Sequence, residues 1–393
     1  MEITSFIPII PVLLLSLFIL NIFNKTILKI ELPKGRNQSI DGLRGYLAIF
    51  VFFHHSIVWY FFLKNGYWAF TPSNLYNHLG TTSVGFFFMI TSFLFFSKIA
   101  NSQNRKLNWK QLYIGRVLRI LPLYLTICIV VFTIVLIKSN WILIEPIENI
   151  TKEIIQWISF IQVDINNYAD TRIIVARVVW SLAFEWLFYF SLPLFGWLCF
   201  RVRASKLTFI LSLLLFALYA YIIWNFYPVG AVKRLCPFLG GIAAVFAYKT
   251  NSLKELSRSN YLSINIAILI LITLFFFRDA YSIVPFLLIV IIFISFALGN
   301  SLFGILLHPY SQLLGLISYS IYLLHGILLF TTLNFIPGLK SIVIASPINY
   351  WIFISFNCTI LVLVSAISYK FIEHPFIVKT SKINQGKKVT LSL

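Results

Sequence analysis

Apolar segments long enough to cross a membrane recur along the whole chain of 393 residues. An α-helix of about 17 to 25 residues matches the roughly 30 Å apolar core of a bilayer, and inside that core each backbone group must be paired within its own segment. The chain is therefore predicted to be an all-α, polytopic membrane protein with about eleven transmembrane helices. The segments are residues 7–23, 41–62, 80–97, 117–138, 179–200, 207–227, 231–248, 261–277, 281–299, 313–335 and 348–372.

The composition excludes a water-soluble globular chain. Hydrophobic residues make up 60% of the sequence and charged residues only 11%, whereas soluble domains carry about 25% charged residues. The net charge of +19 does not indicate a nucleic-acid partner, because the basic residues separate apolar segments as the positive-inside rule describes. The four cysteines lie within or at the ends of apolar segments without metal-ligand spacing, so no metal site is expected.

The distribution of basic residues predicts the orientation in the plasma membrane. The linker at 24–38, the loop at 98–116 and the tail at 378–393 are basic, whereas the loop at 139–178 carries most of its charge as acids. The N-terminus is therefore expected outside and the C-terminus in the cytoplasm, with membrane lipids around the helices. Glu2 stands where a signal peptide has basic residues, so the first segment is predicted to be an uncleaved anchor helix.

Residues 39–56 (SIDGLRGYLAIFVFFHHS) place charged and titratable side chains within an apolar run. Arg44 and His55 are eleven positions apart, so on one helix they lie within about 20° of each other and roughly 16 Å apart along the axis. Asp41 falls within about 40° of the same stripe, whereas His54 points some 80° away. Polar groups at membrane depth are costly and usually functional, so the stripe favours His55 over His54 as a functional histidine.

This stretch, DGLRG followed by an apolar run and a histidine, resembles the signature of acyltransferase family 3, the type-3 multi-spanning membrane O-acyltransferases. The resemblance implies a ten-helix core after the anchor helix and linker of residues 1–38, a domain over residues 39–377, and a basic tail over 378–393, predicted to be disordered. It also implies transfer of an acyl group, usually acetyl from acetyl-CoA, to a hydroxyl, commonly of a surface glycan.

The sequence RVLRILPLY carries Arg116 and Arg119, three residues apart and therefore on one helix face. Planar guanidinium groups match phosphate oxygens, so these residues and Arg44, at the same predicted membrane level, are candidates to bind the phosphates of a cytoplasmic acyl-CoA. The alternative is anchoring in the inner leaflet. The paired arginines, with Pro122 and Tyr124 after them, also resemble the family pattern.

The sequence WSLAFEWLFYFSLPLF places Glu185 about 8 Å from Trp180 along a helix that enters from outside. A carboxylate at that depth needs a partner, and His55 is predicted in a neighbouring layer. The block resembles the family's W-S-L-x-x-E-x-x-F-Y motif, which implies an orienting role for Glu185, Ser181 and Tyr189 on His55 or on the substrate. A structural ion pair is the alternative.

In GLISYSIYLLHGILL, Ser318, Tyr322 and His325 recur at helical spacing, and His325 is predicted in the same layer as His55. The family helix here is similar and ends in a histidine. Membrane histidines often bond to backbone carbonyls, so Tyr322 and His325 are predicted to orient the acceptor or support the structure rather than to react. The resemblance ends at the F-I-E-x-P block that contains Glu373.

Together these motifs predict a catalytic group of His55, Arg44 and Glu185, with Arg116, Arg119 and Arg44 binding acyl-CoA as a co-substrate and no permanently bound cofactor. His55 would either deprotonate the acceptor hydroxyl or accept the acyl group itself. The acceptor is expected to be a carbohydrate or a lipid-linked glycan. The rival functions are a proton-coupled transporter or glycan exporter and an inactive scaffold. The transporter is disfavoured because the charged residues cluster in one His-and-Arg group and because no inverted repeat with broken helices is visible. The loop at 139–178 is either an acceptor-binding lid or a plain connector.

Overall fold

The computed structural model describes residues 2–32, 37–101, 107–200 and 204–379. These residues form helices joined by turns, and they contain no β-strand. The helices are α1 Ile9–Phe23, α2 Gln38–Asn65, α3 Asn74–Ala100, α4 Trp109–Lys138, α5 Ile147–Ile158, α6 Thr171–Ile174, α7 Trp180–Phe200, α8 Lys206–Phe226, α9 Ala231–Ala247, α10 Asn251–Ser257, α11 Asn260–Phe276, α12 Ile283–Ala297, α13 Pro309–Leu316, α14 Ser318–Phe335, α15 Leu339–Ala345 and α16 Pro347–Ser368. The predicted tail at 378–393 lies outside the described residues from 380 on.

Within the described part of the chain, seven helical spans are long and apolar enough to cross a membrane, and the number rises to nine if two bent helix pairs each count as one span. Two further apolar helices, α11 and α12, are shorter than the others. Every apolar segment predicted from the sequence is helical over most of its length, although 313–335 is divided between α13 and α14. The all-α, polytopic membrane architecture is confirmed, with seven to nine clear spans against the eleven predicted.

Among the described residues, two pairs of consecutive helices are each bent at a short break. Helices α9 and α10 meet at 109°, and α13 and α14 meet at 66°. The second break falls at Ile317. Because neither proline nor glycine is at the break itself, the sequence does not indicate it. Gly315, two residues earlier, packs against the Asp41 carbonyl so closely that a Cβ there would lie 1.9 Å from the oxygen. Tertiary contact therefore accompanies the bend.

Helix α2 is a single uninterrupted helix of 28 residues with a defined signal at each end. The Asn37 side chain accepts a hydrogen bond from the Ile40 N–H, and Asp41 lies in the first turn, where a negative charge is favourable. Gly66 ends the helix in the left-handed conformation, with φ of 79°. Asp41, Arg44 and both histidines therefore lie on one helix, as the stripe requires.

Two glycines of the DGLRG sequence allow α2 to approach its neighbours at backbone distance. A Cβ at Gly45 would lie 2.7 Å from the Gly315 nitrogen in α13, and one at Gly42 would lie 2.1 Å from the Leu306 carbonyl oxygen. Real Cβ atoms do not come so close to a backbone. Helix α2 consequently packs against both halves of the bent pair, α13 and α14, and the face that carries His55 is set by these contacts.

Contacts between Cα atoms divide the chain into two compact units. The first contains the residues up to Leu94 together with Val232–Ala366, and therefore α1, α2, most of α3 and the helices from α9 to α16 except for the first residue of α9 and the last residues of α16. The second contains Phe95–Ala231 and the described residues from Ile367 on, and therefore α4 to α8 and a π-helical turn at Tyr369–Glu373.

The long segment 139–178, in the second unit, has an ordered structure. The Asn166 side-chain oxygen accepts hydrogen bonds from the Ile144 and Glu145 N–H groups, and the backbone N–H of Asn166 donates to the Glu153 carboxylate. Trp157, in the apolar piece IIQWISFIQ, is fully buried, and its carbonyl accepts a hydrogen bond from Tyr124 of α4.

Candidate active site

His55 and His325 form a hydrogen-bonded pair in the first unit. His325 Nε2 lies 3.1 Å from His55 Nδ1, although the two residues are far apart in sequence, and their ring centroids are 5.0 Å apart. His55 comes from α2 and His325 from α14. The sequence placed both residues in one membrane layer without pairing them, so the structure adds their direct contact.

The backbone contacts of the two rings assign their tautomers. His325 Nδ1 lies 3.2 Å from the Ile321 carbonyl oxygen, which can only accept, so this nitrogen carries the proton and His325 Nε2 is an acceptor. His55 Nδ1 lies 3.0 Å from the Val51 carbonyl oxygen and faces His325 Nε2, so it carries a proton that it donates to both. In the neutral pair, therefore, the lone pair of His55 is on Nε2, where it can accept a proton or attack a carbon atom.

His54 has a different environment from His55. Its Nδ1 lies 2.8 Å from the Tyr76 carbonyl oxygen, and its ring fills the space beside Gly80 of α3, where a Cβ would come within 2.5 Å of the ring. The side chain is buried, whereas His55 is the one residue of the stretch 51–60 that is not. The rings of His54 and His55 contact each other, with 4.6 Å between their centroids, so His54 packs against His55. Of the two histidines, only His55 is partly exposed.

Aromatic side chains surround the histidine pair. The Trp68 ring lies nearly parallel to the His55 ring, at 6.2 Å between centroids, and also contacts Trp59 at 5.5 Å. Tyr322, a predicted orienting residue, is buried with its ring 6.1 Å from that of His325. These rings cover part of the surface of the histidine pair.

Arg44 lies on the same helix as His55, three turns towards the N-terminus, and is partly exposed. This spacing corresponds to the roughly 16 Å expected along a helix axis. A ligand that contacts both side chains must therefore be extended, as the pantetheine arm of an acyl-CoA is. Its binding by Arg44 stays a prediction.

The second candidate cluster lies in the second unit and links α4 to α7. The Tyr189 hydroxyl donates a hydrogen bond of 3.0 Å to Glu185 one turn earlier. The Arg116 guanidinium lies 4.8 Å from the centre of the Phe95 ring and interacts electrostatically with Tyr189, Glu185 and Arg119. Glu185 thus has partners within its own unit, and its predicted pairing with His55 stays a prediction.

Ser181 is buried at the start of α7, and its hydroxyl donates to the Val178 carbonyl at 3.0 Å. A hydroxyl that donates to a carbonyl three residues earlier stabilises the start of its helix. The substrate-orienting role predicted for Ser181 stays a prediction. The described residues contain no group of three side chains that could hold a metal ion.

Both clusters lie within a region of the chain that matches a known protein family. Residues 37–370 match the model of acyltransferase family 3, which is described as an acyltransferase domain. The chain belongs to acyltransferase family 3. No curated protein and no solved structure shows a significant match. The match includes every candidate residue named above, and the protein is a multi-pass membrane acyltransferase.

Two further residues lie in the candidate clusters of this family 3 chain although no motif contains them. Trp68 is in the first cluster and Lys98 in the second. Trp68 follows the end of α2, and no periodic pattern shows that its ring turns back onto His55. Lys98, at the end of α3, lies close enough to Arg116 for their positive charges to repel each other. The basic loop composition was the one signal for Lys98, and it indicated orientation rather than a site.

Each unit contains one candidate cluster. In the first unit, His55 is partly exposed and its Nδ1 is held by His325 and Val51, so Nε2 is the nitrogen that can take a proton or attack a carbon atom. In the second unit, Lys98, Arg116 and Arg119 bring like charges together, and such charges are stabilised by a bound anion. The buried Glu373 of the second unit lies in the π-helical turn that contacts α4.

Proposed function

We propose that this protein transfers an acyl group, most simply acetyl, from cytoplasmic acyl-CoA to a hydroxyl of a cell-surface carbohydrate or its lipid-linked precursor. The proposal includes a location in the plasma membrane with the N-terminus outside and the C-terminus in the cytoplasm. The family supports acyl transfer, and the basic loops support this orientation. One observation carries the assignment of the reacting residue, namely the accessible His55 ring whose Nδ1 is held by His325 and Val51.

In the proposed reaction, His55 Nε2 takes the proton of the acceptor hydroxyl as the oxygen attacks the thioester carbon. The carbon–sulfur bond then breaks, and the thiolate of CoA receives the proton from His55 Nε2. The products are an ester and free CoA with its thiol protonated, and the histidine returns to its neutral form. In a second route the same nitrogen attacks the thioester carbon, the carbon–sulfur bond breaks, and CoA leaves as the thiolate. The acceptor oxygen then attacks the acyl carbon, the carbon–nitrogen bond to His55 breaks, and the hydroxyl proton neutralises the thiolate through solvent, so that the products are the same.

His325 acts in this scheme as a positioning residue. By accepting from Nδ1–H of His55, it holds the ring in the tautomer that leaves Nε2 unprotonated, and it stabilises the imidazolium that forms when Nε2 takes a proton. The Trp68 ring stacked on His55 restricts rotation of the imidazole. Both effects favour one geometry of attack.

The phosphates of the donor are proposed to bind Arg116 and Arg119, with Lys98 adding positive charge. The face of Arg116 is stacked on Phe95, which leaves its edge for planar, bidentate hydrogen bonds. Glu185, hydrogen-bonded to Tyr189, is proposed to orient the acceptor or His55. Arg44 contributes a further guanidinium at the start of α2.

The test is release of free CoA from acetyl-CoA by the full-length protein in membrane vesicles with candidate glycan acceptors. His55→Ala is expected to abolish release while insertion and folding persist. His54→Ala is the matched control, since it removes a neighbouring ring of the same size but not the accessible nitrogen, and should retain most activity at some cost in stability.

Full activity of the His55→Ala variant would refute the assignment of the base. Wild-type protein that carries a glycan across the vesicle membrane and leaves acetyl-CoA intact would instead show a transporter. Single-turnover kinetics separate the two chemical routes, because a burst of CoA without acceptor requires an acyl-histidine, whereas direct attack releases no CoA until the acceptor is added.

A further inference from the structure

The turn between α2 and α3 carries three aromatic side chains next to the histidines. Trp68 stacks on His55, and Phe70 lies 6.2 Å from the His54 ring between centroids. Phe70 is 69% exposed and Tyr67 64% exposed, whereas Trp68 is only partly exposed. One side of this turn therefore borders the reacting imidazole, and the other side is open.

Side-chain hydrogen bonds hold this turn in one conformation. The Asn77 side chain accepts from the Thr71 N–H at 3.0 Å and donates to the Thr71 carbonyl at 2.8 Å. Thr71 and Asn77 are both buried, so water does not compete strongly for these bonds. At the other end, Gly66 takes the left-handed conformation that lets the chain leave α2 at once. The aromatic rings are consequently positioned before any ligand arrives.

A buried donor without a partner lies in the same cluster. Trp59 is 1% exposed, packs against Trp68, Phe62 and Phe330, and its indole Nε1–H has no hydrogen-bond partner among the described residues. A buried N–H without an acceptor costs roughly 1–3 kcal/mol, so such groups in a native protein require an explanation. An oxygen of a bound ligand would remove that cost.

We infer that Tyr67, Trp68 and Phe70 form the acceptor subsite and bind a pyranose ring, with Trp59 Nε1–H available to one of its oxygens. This inference rests on the proposed function for its carbohydrate acceptor. A pyranose has apolar faces of C–H groups and a rim of hydroxyls, which match flat aromatic rings beside a hydrogen-bond donor. Because the Trp68 ring borders His55, a sugar bound to this turn would lie beside the imidazole.

The experiment measures ligand binding independently of catalysis. Saturation-transfer NMR is recorded on the full-length protein in lipid nanodiscs with methyl glucoside, methyl galactoside and methyl mannoside, and with sorbitol as a polyol that has no ring. We expect transfer to the ring C–H protons of at least one pyranoside and none to sorbitol.

The variants test whether Trp68 forms the platform. Trp68→Ala should weaken binding of the pyranoside about three- to tenfold, the range for loss of one aromatic stacking contact, whereas Trp68→Phe keeps an aromatic face and should bind within about threefold of wild type. Trp224→Ala is the matched control, because Trp224 is 70% exposed on α8 and should leave binding unchanged.

Three results would overturn the inference: no pyranoside binds, sorbitol binds equally well, or Trp68→Ala binds as tightly as wild type. The last is what a mere membrane-interface anchor would show. If CoA release is then normal, the proposed function survives without this subsite. Pyranoside binding that depends on Trp68 in a protein that leaves acetyl-CoA intact would uphold the subsite and refute the acyl transfer.

Discussion

Replacement of His325 tests the histidine pair most directly. His325 is fully buried, so truncation to alanine would mix loss of the hydrogen bond with a cavity. We therefore compare His325→Leu with His325→Gln, which both fill most of the volume. Leucine removes the acceptor for His55 Nδ1–H, and glutamine retains an acceptor oxygen at a similar reach.

The expected magnitude follows from the contacts of His55 Nδ1. The 3.1 Å bond to His325 becomes a bond to a charged group once His55 Nε2 is protonated, and such bonds contribute about 1.5–3 kcal/mol. Because the Val51 carbonyl, 3.0 Å away, still accepts from Nδ1 in the variant, the loss should fall in the lower part of that range. We expect kcat to fall about 10- to 40-fold in His325→Leu and about threefold or less in His325→Gln.

The assay is the steady-state rate of CoA release at varied acetyl-CoA and varied acceptor, at matched amounts of folded protein. A positioning residue should change kcat and leave both KM values close to wild type. Equal activities of His325→Leu and His325→Gln would refute the hydrogen-bond role, and a loss confined to KM would move His325 to substrate binding.

Three further predictions concern other parts of the chain. Replacing both Arg116 and Arg119 by lysine keeps the charge but loses the forked geometry, so the KM for acetyl-CoA should rise about tenfold with unchanged orientation, and an unchanged KM would leave these residues as membrane anchors. Gly45→Ala places a Cβ 2.7 Å from the backbone of α13 and should cost about 1–3 kcal/mol in stability by thermal unfolding, whereas Gly85→Ala, with no neighbour closer than 3.4 Å, should cost far less. Burial, together with two neighbouring carboxylates, raises the pKa of Glu153, so the folded segment holds this proton more tightly than the unfolded one. The contribution of this proton to the stability of the folded segment is present at low pH and is lost as the pH rises through the raised pKa. Hydrogen exchange in α5, corrected for the intrinsic rate, should therefore be slower at pH 4 than at pH 7. Glu153→Gln should remove the difference.

Local periodicity accounts for the part of the site that the sequence predicted. Arg44 and His55 share a helix stripe because α2 is regular over its whole length, with Asn37 and Gly66 as ordinary end signals. The same periodicity separated His54 from His55, and the structure agrees, with His54 held by the Tyr76 carbonyl. Apolar length likewise predicted where the helices lie, although lengths alone overstated the number of clear spans.

The sequence by itself determined that the chain is a bundle of membrane helices, which of its motifs resemble an acyltransferase, and which histidine shares a helix stripe with Arg44. Those properties depend on residues close together in the chain, whose geometry the α-helix dictates. Only the tertiary structure decided that His325 holds His55, that Trp68 folds back onto it, and that the α13–α14 pair bends. These features depend on contacts between distant segments, such as the close approach of Gly315 to Asp41, and no local pattern specifies which helices become neighbours.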